Sequence, residues 1–152
     1  PEMISLIDLP PTLLDAAGID VPEEMQGRSI LPLIRGEADD WPEEAFIQIS
    51  EAQVGRAVRT GRWKYGVDAP EKQGGKDAGS ERYVEQYLYD LQADPYELSN
   101  LIQSEAHVIV SDVMAERLVR RMTEAGEEAP EIVKAEVGRS GQRKVTQEEA
   151  RA

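Results

Sequence analysis

Two stretches of the chain repeat apolar residues at helical spacing, and four shorter ones read as strands. In the clearest helix, Glu105 to Ala125, Val110, Met114, Leu118 and Met122 recur every four residues, flanked by Val113 and Val119, and Gly126 ends it. Near the start, Leu9, Leu13, Leu14 and Ala17 form an apolar stripe over Ser5 to Gly18. Either Ser5 or Asp8 caps that helix. With Asp8 as the cap, Pro10 and Pro11 fall in the first turn, where a missing N–H costs little; with Ser5 they kink the helix. Gly18 suits the left-handed position after the last turn. Ser29 caps a further short turn, Ile30 to Ile34, which stops at Gly36.

Strands are predicted over Phe46–Ser50, over Val54–Thr60, and from Trp63, where Trp63, Tyr65 and Val67 alternate with Lys64 and Gly66. Thr60-Gly61 makes the last two a hairpin. A further strand covers Tyr87 to Leu91, with Tyr87, Tyr89 and Leu91 on one face. Between them, Asp68 to Glu81 holds Gly74, Gly75, Gly79 and many charges, the pattern of a mobile loop. After Gly126 the chain is polar without a sustained period, and it is expected to be partly disordered or to lie along a partner. The order helix, strands, helix predicts an α+β fold: a small antiparallel β-sheet of three to four strands packed by one long helix.

Composition narrows the function classes. The chain has 152 residues, 40% hydrophobic and 31% charged, with a formal net charge of −13. An acidic surface argues against nucleic acid, whose phosphates need a basic footprint. The sequence has no cysteine, so disulfides, thiolate metal sites and cysteine nucleophiles are excluded. No apolar run approaches the ~20 residues of a membrane span, and no signal-peptide pattern opens the chain. The first residue is Pro1, which suggests processing or a boundary within something longer.

Candidate chemistry is sparse. His107, the single histidine, reads either as an acid–base residue or as a surface residue in a first helical turn. Asp39-Asp40 offers paired carboxylates of the kind hard cations favour, in an acidic loop without further ligands at suitable spacing. Gly74-Gly75-Lys76 lacks the rest of a phosphate-cradling loop and reads as flexible linker. Arg56, Arg59, Arg62 and Lys64 make one locally basic stretch, suited to an anionic substrate group or to pairing with carboxylates elsewhere. Glu51, at the end of the first strand, is a candidate contact for a polar substrate.

Three stretches together resemble the sulfatase family. They are Ser5 to Ile19 followed by Gln26-Gly-Arg-Ser-Ile-Leu-Pro-Leu-Ile-Arg-Gly36; Arg56-Ala-Val-Arg-Thr-Gly-Arg-Trp-Lys-Tyr65; and Leu88-Tyr-Asp-Leu-Gln-Ala-Asp-Pro-Tyr-Glu-Leu-Ser-Asn-Leu101. The likeness runs from about Met3 to Glu124 and is to the carboxy-terminal part of an alkaline-phosphatase-like enzyme. It implies that residues 1–36 are a leftover helical segment of a large α/β domain, residues 37–125 a carboxy-terminal α+β subdomain, and residues 126–152 a polar tail. It also implies that calcium and a formylglycine, made from Cys or Ser in a C/S-x-P-x-R motif, belong to the large domain. No serine here is followed by x-Pro-x-Arg, so no catalytic residue carries over and no cofactor is expected in this chain.

By the same resemblance Glu51, Gln53 and Arg56, just after the first strand, are the residues expected to reach the substrate cleft. The partners implied are the large sulfatase domain and, in the parent enzyme, a sulfate ester. A second expectation is a non-catalytic interaction or dimerisation module derived from a sulfatase, forming a homo-oligomer. Neither nucleic acid nor membrane is an expected partner. The location implied is left between bacterial cytoplasm and periplasm.

Overall fold

The fold was analysed in a computed structural model, which describes residues 2–38 and 40–152. The chain divides into two compact units, Pro1–Ala45 and Phe46–Ala152.

In unit 1 both candidate caps are used. Ser5 precedes a 3-10 turn, Leu6–Asp8, and its backbone N–H is held by the Asp8 carboxylate at 2.8 Å. Asp8 in turn precedes α1, Leu9–Ala16, with the prolines in its first turn, so the prolines cause no break. Gly18 ends the helix at φ +71°, as expected. The second helix, α2, spans Leu31–Arg35 and closes on Gly36 at the same φ. Asp8 also accepts from the Arg28 amide at 3.0 Å, tying the intervening loop to α1. Gly27 is required there: a Cβ at this position would stand 1.9 Å from the Ile7 carbonyl oxygen.

Unit 1 differs from expectation in which side of α1 is covered. Pro11 and Thr12 are buried, whereas Leu13 is 71% exposed and Leu9 is also open. Thr12 is held inward because its hydroxyl donates to the Asp8 carbonyl and accepts from the Ile30 amide. The apolar stripe is thereby left facing out.

The sheet runs β1 (Glu44–Ile49), β2 (Gly55–Thr60), β3 (Trp63–Asp68), β4 (Arg82–Asp90) and β5 (Glu131–Val133), neighbours in that order. β2, β3 and β4 form an antiparallel meander, with Val58 opposite Tyr65 and Tyr65 opposite Leu88. β5 adds in parallel to β4, so the sheet is mixed and has five strands rather than three or four. The long helix, α3 (Val108–Glu124), follows a 3-10 turn at Glu105–His107. Its Val110, Met114, Leu118 and Met122 pack with Val58, Trp63, Tyr65 and Leu88 in one core. All eight are fully buried. Each such side chain contributes roughly 1.5–3 kcal/mol of transfer free energy, which is why helix and sheet form together.

β4 begins earlier than its aromatic pattern suggested. The alternation breaks at a bulge opposite Gly66/Val67, so Glu85 and Tyr83 turn inward with Leu88 while Tyr87 and Tyr89 stack on the outer face. The stretch after Gly126, expected to be partly disordered or to lie along a partner, runs back over unit 2 itself. β5 pairs with β4, Val145 donates to the Ala106 carbonyl, and α4 (Gln147–Arg151) places Ala150 in the core and accepts the Trp63 indole N–H at the Glu149 carbonyl, 2.9 Å. Too few large apolar side chains mark this stretch for a period to show, since polar contacts hold most of it. No helix among the described residues is long and apolar enough to cross a membrane.

Candidate functional site

Of the three residues singled out from the sequence, Glu51 and Gln53 lie in the turn between β1 and β2 and Arg56 in β2 itself, and the structure gives them different positions. Glu51 is exposed, Gln53 is half-buried, and Arg56 is buried at 4% exposure. Arg56 is the hub. Its Nε donates to both oxygens of Glu127, at 2.8 and 3.1 Å. Its two terminal nitrogens reach the carbonyls of Ile49, Gly55 and Ala78. The guanidinium also lies over the Tyr83 ring, 5.8 Å from its centre. One side chain thus gathers the end of β1, the start of β2, the 68–81 loop and the segment after α3. A guanidinium so occupied holds the turn; it does not project from it.

The 68–81 loop, read from sequence as mobile with a flexible Gly74-Gly75-Lys76, is fastened beside that turn. The Gly75 amide donates to the Ser50 carbonyl at 2.8 Å, and Ser50 Oγ donates to the Ala78 carbonyl at 2.6 Å. A Cβ on Gly74 would stand 2.3 Å from the Glu51 carbonyl oxygen, so the loop lies against the turn at a distance only glycine permits. The Gly-Gly pair was the available signal: it marked a close backbone approach rather than looseness. Beside these groups a polar cavity of about 810 Å³ is lined by Glu71, Lys72, Ser80, Arg82 and Glu127. Ser80 donates its amide to the Tyr83 hydroxyl, whose own ionisation burial pushes up.

The remaining basic residues are mostly engaged. Arg62 grips Asp90, with contacts of 2.8 to 3.3 Å, and stacks over Trp63 at 4.5 Å. Burial alone would raise the Asp90 carboxyl; Arg62 and the amides of Ala93 and Gln92 overcome this and hold it below the usual range. Lys64 pairs with Glu97 at 2.6 Å. Arg59 alone of the four is exposed.

His107 is not the surface residue its helical position suggested. It is 9% exposed, its ring meets the Trp63 ring edge-on at 6.2 Å, and Nδ1 lies 2.9 Å from Ser104 Oγ. Burial pushes its pKa down, which favours the neutral ring of a packed histidine. Asp39, half of the paired carboxylates, lies outside the described residues. Among the described residues no group of three or more His, Cys, Asp or Glu is placed to hold a metal ion.

A network that sequence reasoning missed pins the chain after α3 to the sheet. Glu85, nearly fully buried, accepts from the Tyr65 hydroxyl at 2.9 Å, the Lys134 ammonium at 3.1 Å and the Ala135 amide at 2.9 Å. Burial, and then the Glu85 charge, raise the Tyr65 phenol far above its ordinary range, so it stays a donor. Only the β4 bulge turns Glu85 inward, and no sequence period announces a bulge.

These groups can position and hydrogen-bond; none is an activated nucleophile. Comparisons with known proteins agree with that division. The family model described as N-sulphoglucosamine sulphohydrolase, C-terminal, matches residues 1–124. The chain is 32% identical over 111 residues to mouse arylsulfatase K, covering 66% of this chain and 18% of that protein. It is 32% identical over 126 residues to an arylsulfatase of Clostridium perfringens, covering 80% of this chain and 23% of the relative. A putative sulfatase from Bacteroides thetaiotaomicron superposes with a TM-score of 0.63 at 28% identity, over 79% of this chain and 25% of that one. The chain thus spans about a fifth to a quarter of the length of the proteins it matches, and it holds neither a cysteine nor a serine in the x-Pro-x-Arg setting of the formylglycine motif. The chain belongs to the sulfatase family, as its N-sulphoglucosamine sulphohydrolase C-terminal domain.

Proposed function

We propose that this chain serves a sulfatase-type sulfuric ester hydrolase as its carboxy-terminal region, supplying stability and part of the substrate cleft while a large domain, its partner, supplies calcium, formylglycine and the chemistry. The observation that carries this reading is the outward apolar stripe of α1. Leu13 is 71% exposed and Leu9 45%, on a helix whose polar Thr12 is buried. An exposed apolar stripe of this kind marks a surface that another domain or chain covers, and the large domain is the partner that the family match suggests. Within this reading Glu51 and Gln53 face the sulfate-ester substrate as hydrogen-bonding groups, and Arg56 positions the turn that bears them. Bacteria are among the sources of the relatives, and a bacterial location, in cytoplasm or periplasm, belongs to this reading.

The test is twofold. The gene upstream of Pro1 is expected to encode a C/S-x-P-x-R motif in the same reading frame, and the 152-residue chain alone is expected not to hydrolyse an aryl sulfate. Enzyme-like turnover by the isolated chain sinks the proposal. The same exposed stripe also favours a second reading, a dimerisation module derived from a sulfatase. Light scattering separates the two: a monomer that gains nothing from self-association leaves the stripe to the large domain.

A further inference from the structure

Beside the stripe that packs on the sheet, α3 carries a second one. Asp112, Ala115, Glu116, Val119 and Arg120 follow the i, i+3, i+4, i+7, i+8 spacing of a single helix face. Across an open groove of about 720 Å³ stand Pro130, Ile132 and Lys134, alternate positions along β5 and its flanks. The floor is apolar: Ala115 is buried, and Val119 and Ile132 are half-buried. The charges keep to the rim, where Asp112, Glu116 and Arg120 are exposed. Lys134 holds Asp112 at 2.8 Å and Glu85 at 3.1 Å, which fixes one end of the groove. Arg120 meets Glu124 at 3.2 Å, an exposed pair within the helix that is easily exchanged for another. The second wall lies beyond residues 1–124, the part matched by the family model. The groove shares no residue with the α1 stripe or with the turn after β1.

We propose that this groove is where a second copy of the chain docks, α3 against α3, antiparallel about a two-fold axis. The order of the charges selects that arrangement. The stripe runs acidic, acidic, basic along the helix. When Val119 of each copy is set against Ala115 of the other, a rise of about 1.5 Å per residue puts Arg120 about 3 Å along the axis from both Asp112 and Glu116 of the other copy. Each guanidinium then falls between two carboxylates. A parallel copy would instead set each of these charges against itself, which is repulsive. Val119 supplies the apolar centre, the small Ala115 leaves room for it, and Pro130 and Ile132 form the side wall. An apolar centre inside a charged rim is the anatomy of a protein interface. A contact that uses the same patch twice closes on itself, so it yields a dimer and not a filament. The groove falls well short of the ~20–30 residues a side of a standard interface. The dimer is therefore weak, with a Kd of order 100 μM, and dilute samples are monomeric. A foreign helix would need the same order of charges, which this chain already carries. The inference does not rest on the large-domain reading.

Sedimentation equilibrium of the whole chain, from about 20 μM to about 1 mM, tests it. Arg120→Glu, which turns every one of these contacts repulsive, is expected to weaken the dimer about tenfold. Glu116→Arg leaves Asp112 in place and is expected to weaken it about threefold. An equimolar mixture of these two variants is expected to associate more tightly than either alone, because each offers the other the charge it has lost. Val119→Lys, at the apolar centre, is expected to abolish the dimer while the circular dichroism of the chain is unchanged. Leu13→Ser alters only the α1 stripe and is expected to change nothing, which separates this dimer from one built on that stripe. A chain still monomeric at about 1 mM, a dimer indifferent to Arg120→Glu or to Val119→Lys, or a mixture no tighter than its components overturns the proposal.

Discussion

Leu13 in unit 1 and Leu118 in unit 2 both sit on amphipathic helices, and they meet opposite fates. Leu118 is fully buried among the sheet residues; Leu13 is 71% exposed. Unit 2 folds its long helix onto its own sheet, so its apolar period and its covered face coincide. Unit 1 covers the opposite side of α1 through the Thr12 and Asp8 hydrogen bonds and leaves Leu9 and Leu13 out. A regular apolar period therefore predicts a helix in both units, but it predicts a core only where the chain itself supplies the other half.

The widest test of that contrast pairs two truncations. Leu118→Ala should cost about 3–5 kcal/mol, because a buried methylene cluster is lost and a cavity is left. Leu13→Ala should stay within about 0.5 kcal/mol. Urea unfolding followed by circular dichroism reads both. A Leu13 penalty comparable to that of Leu118 means the stripe is already covered in the isolated chain.

Arg56→Ala comes next, at about 3 kcal/mol. Removing one member of a buried, hydrogen-bonded pair leaves Glu127 and the carbonyls of Ile49, Gly55 and Ala78 without their donor. Arg56→Lys should recover only part of this, because an ammonium cannot reach that many acceptors in their fixed directions. If Arg56 instead projected from the turn as a free substrate contact, both variants would be near neutral in the same unfolding experiment.

Gly27→Ala turns the comparison to unit 1. The added methyl meets the Ile7 carbonyl oxygen, a backbone atom that cannot swing aside. About 2 kcal/mol of local strain is expected. Hydrogen exchange should show the Arg28 amide, donor to Asp8, losing protection while the amides of β2 to β4 keep theirs.

Much of unit 2 is legible in the sequence. The Val110–Met122 period, the Trp63–Val67 alternation and the Gly61 turn each report a local geometry that the tertiary fold then reuses. What could not be read has a common physical origin. The inward turn of Glu85 depends on a bulge, and the packing of residues 127–152 depends on single polar contacts such as the Trp63 indole to Glu149. Such contacts leave no period in a sequence. The site was legible as a location, the turn after β1, but not in its division of labour. Whether an arginine projects or anchors depends on partners such as Glu127, which is 71 residues away.

The smallest expected effect is at the far end of unit 2, in the cap of α4. Glu149 is gripped by Arg143 at 2.6 and 3.0 Å and closes a reciprocal box with Thr146, accepting from its amide at 2.9 Å. The Arg143 hydrogen bonds, then those from Thr146, hold its carboxyl at about 2 against an ordinary 4.5. A carboxylate whose pKa falls on folding contributes stability that is fully present above the unfolded value and is lost as pH falls through the folded one. The cap should therefore be intact above about pH 4.5 and weaken progressively toward pH 2. Because the pair lies at the surface, salt screens it, and the change should be confined to α4. The Trp63 indole N–H, bonded to the Glu149 carbonyl, is the natural reporter. Its resonance should move toward the free position as the acid limb is descended, while Leu88 and Tyr65 amides hold. Glu149→Gln should flatten that limb and leave the indole shift pH-independent. An indole that titrates in step with the whole sheet would instead make α4 part of the cooperative core, and the tail would then be no weaker than the helix-and-sheet body it covers.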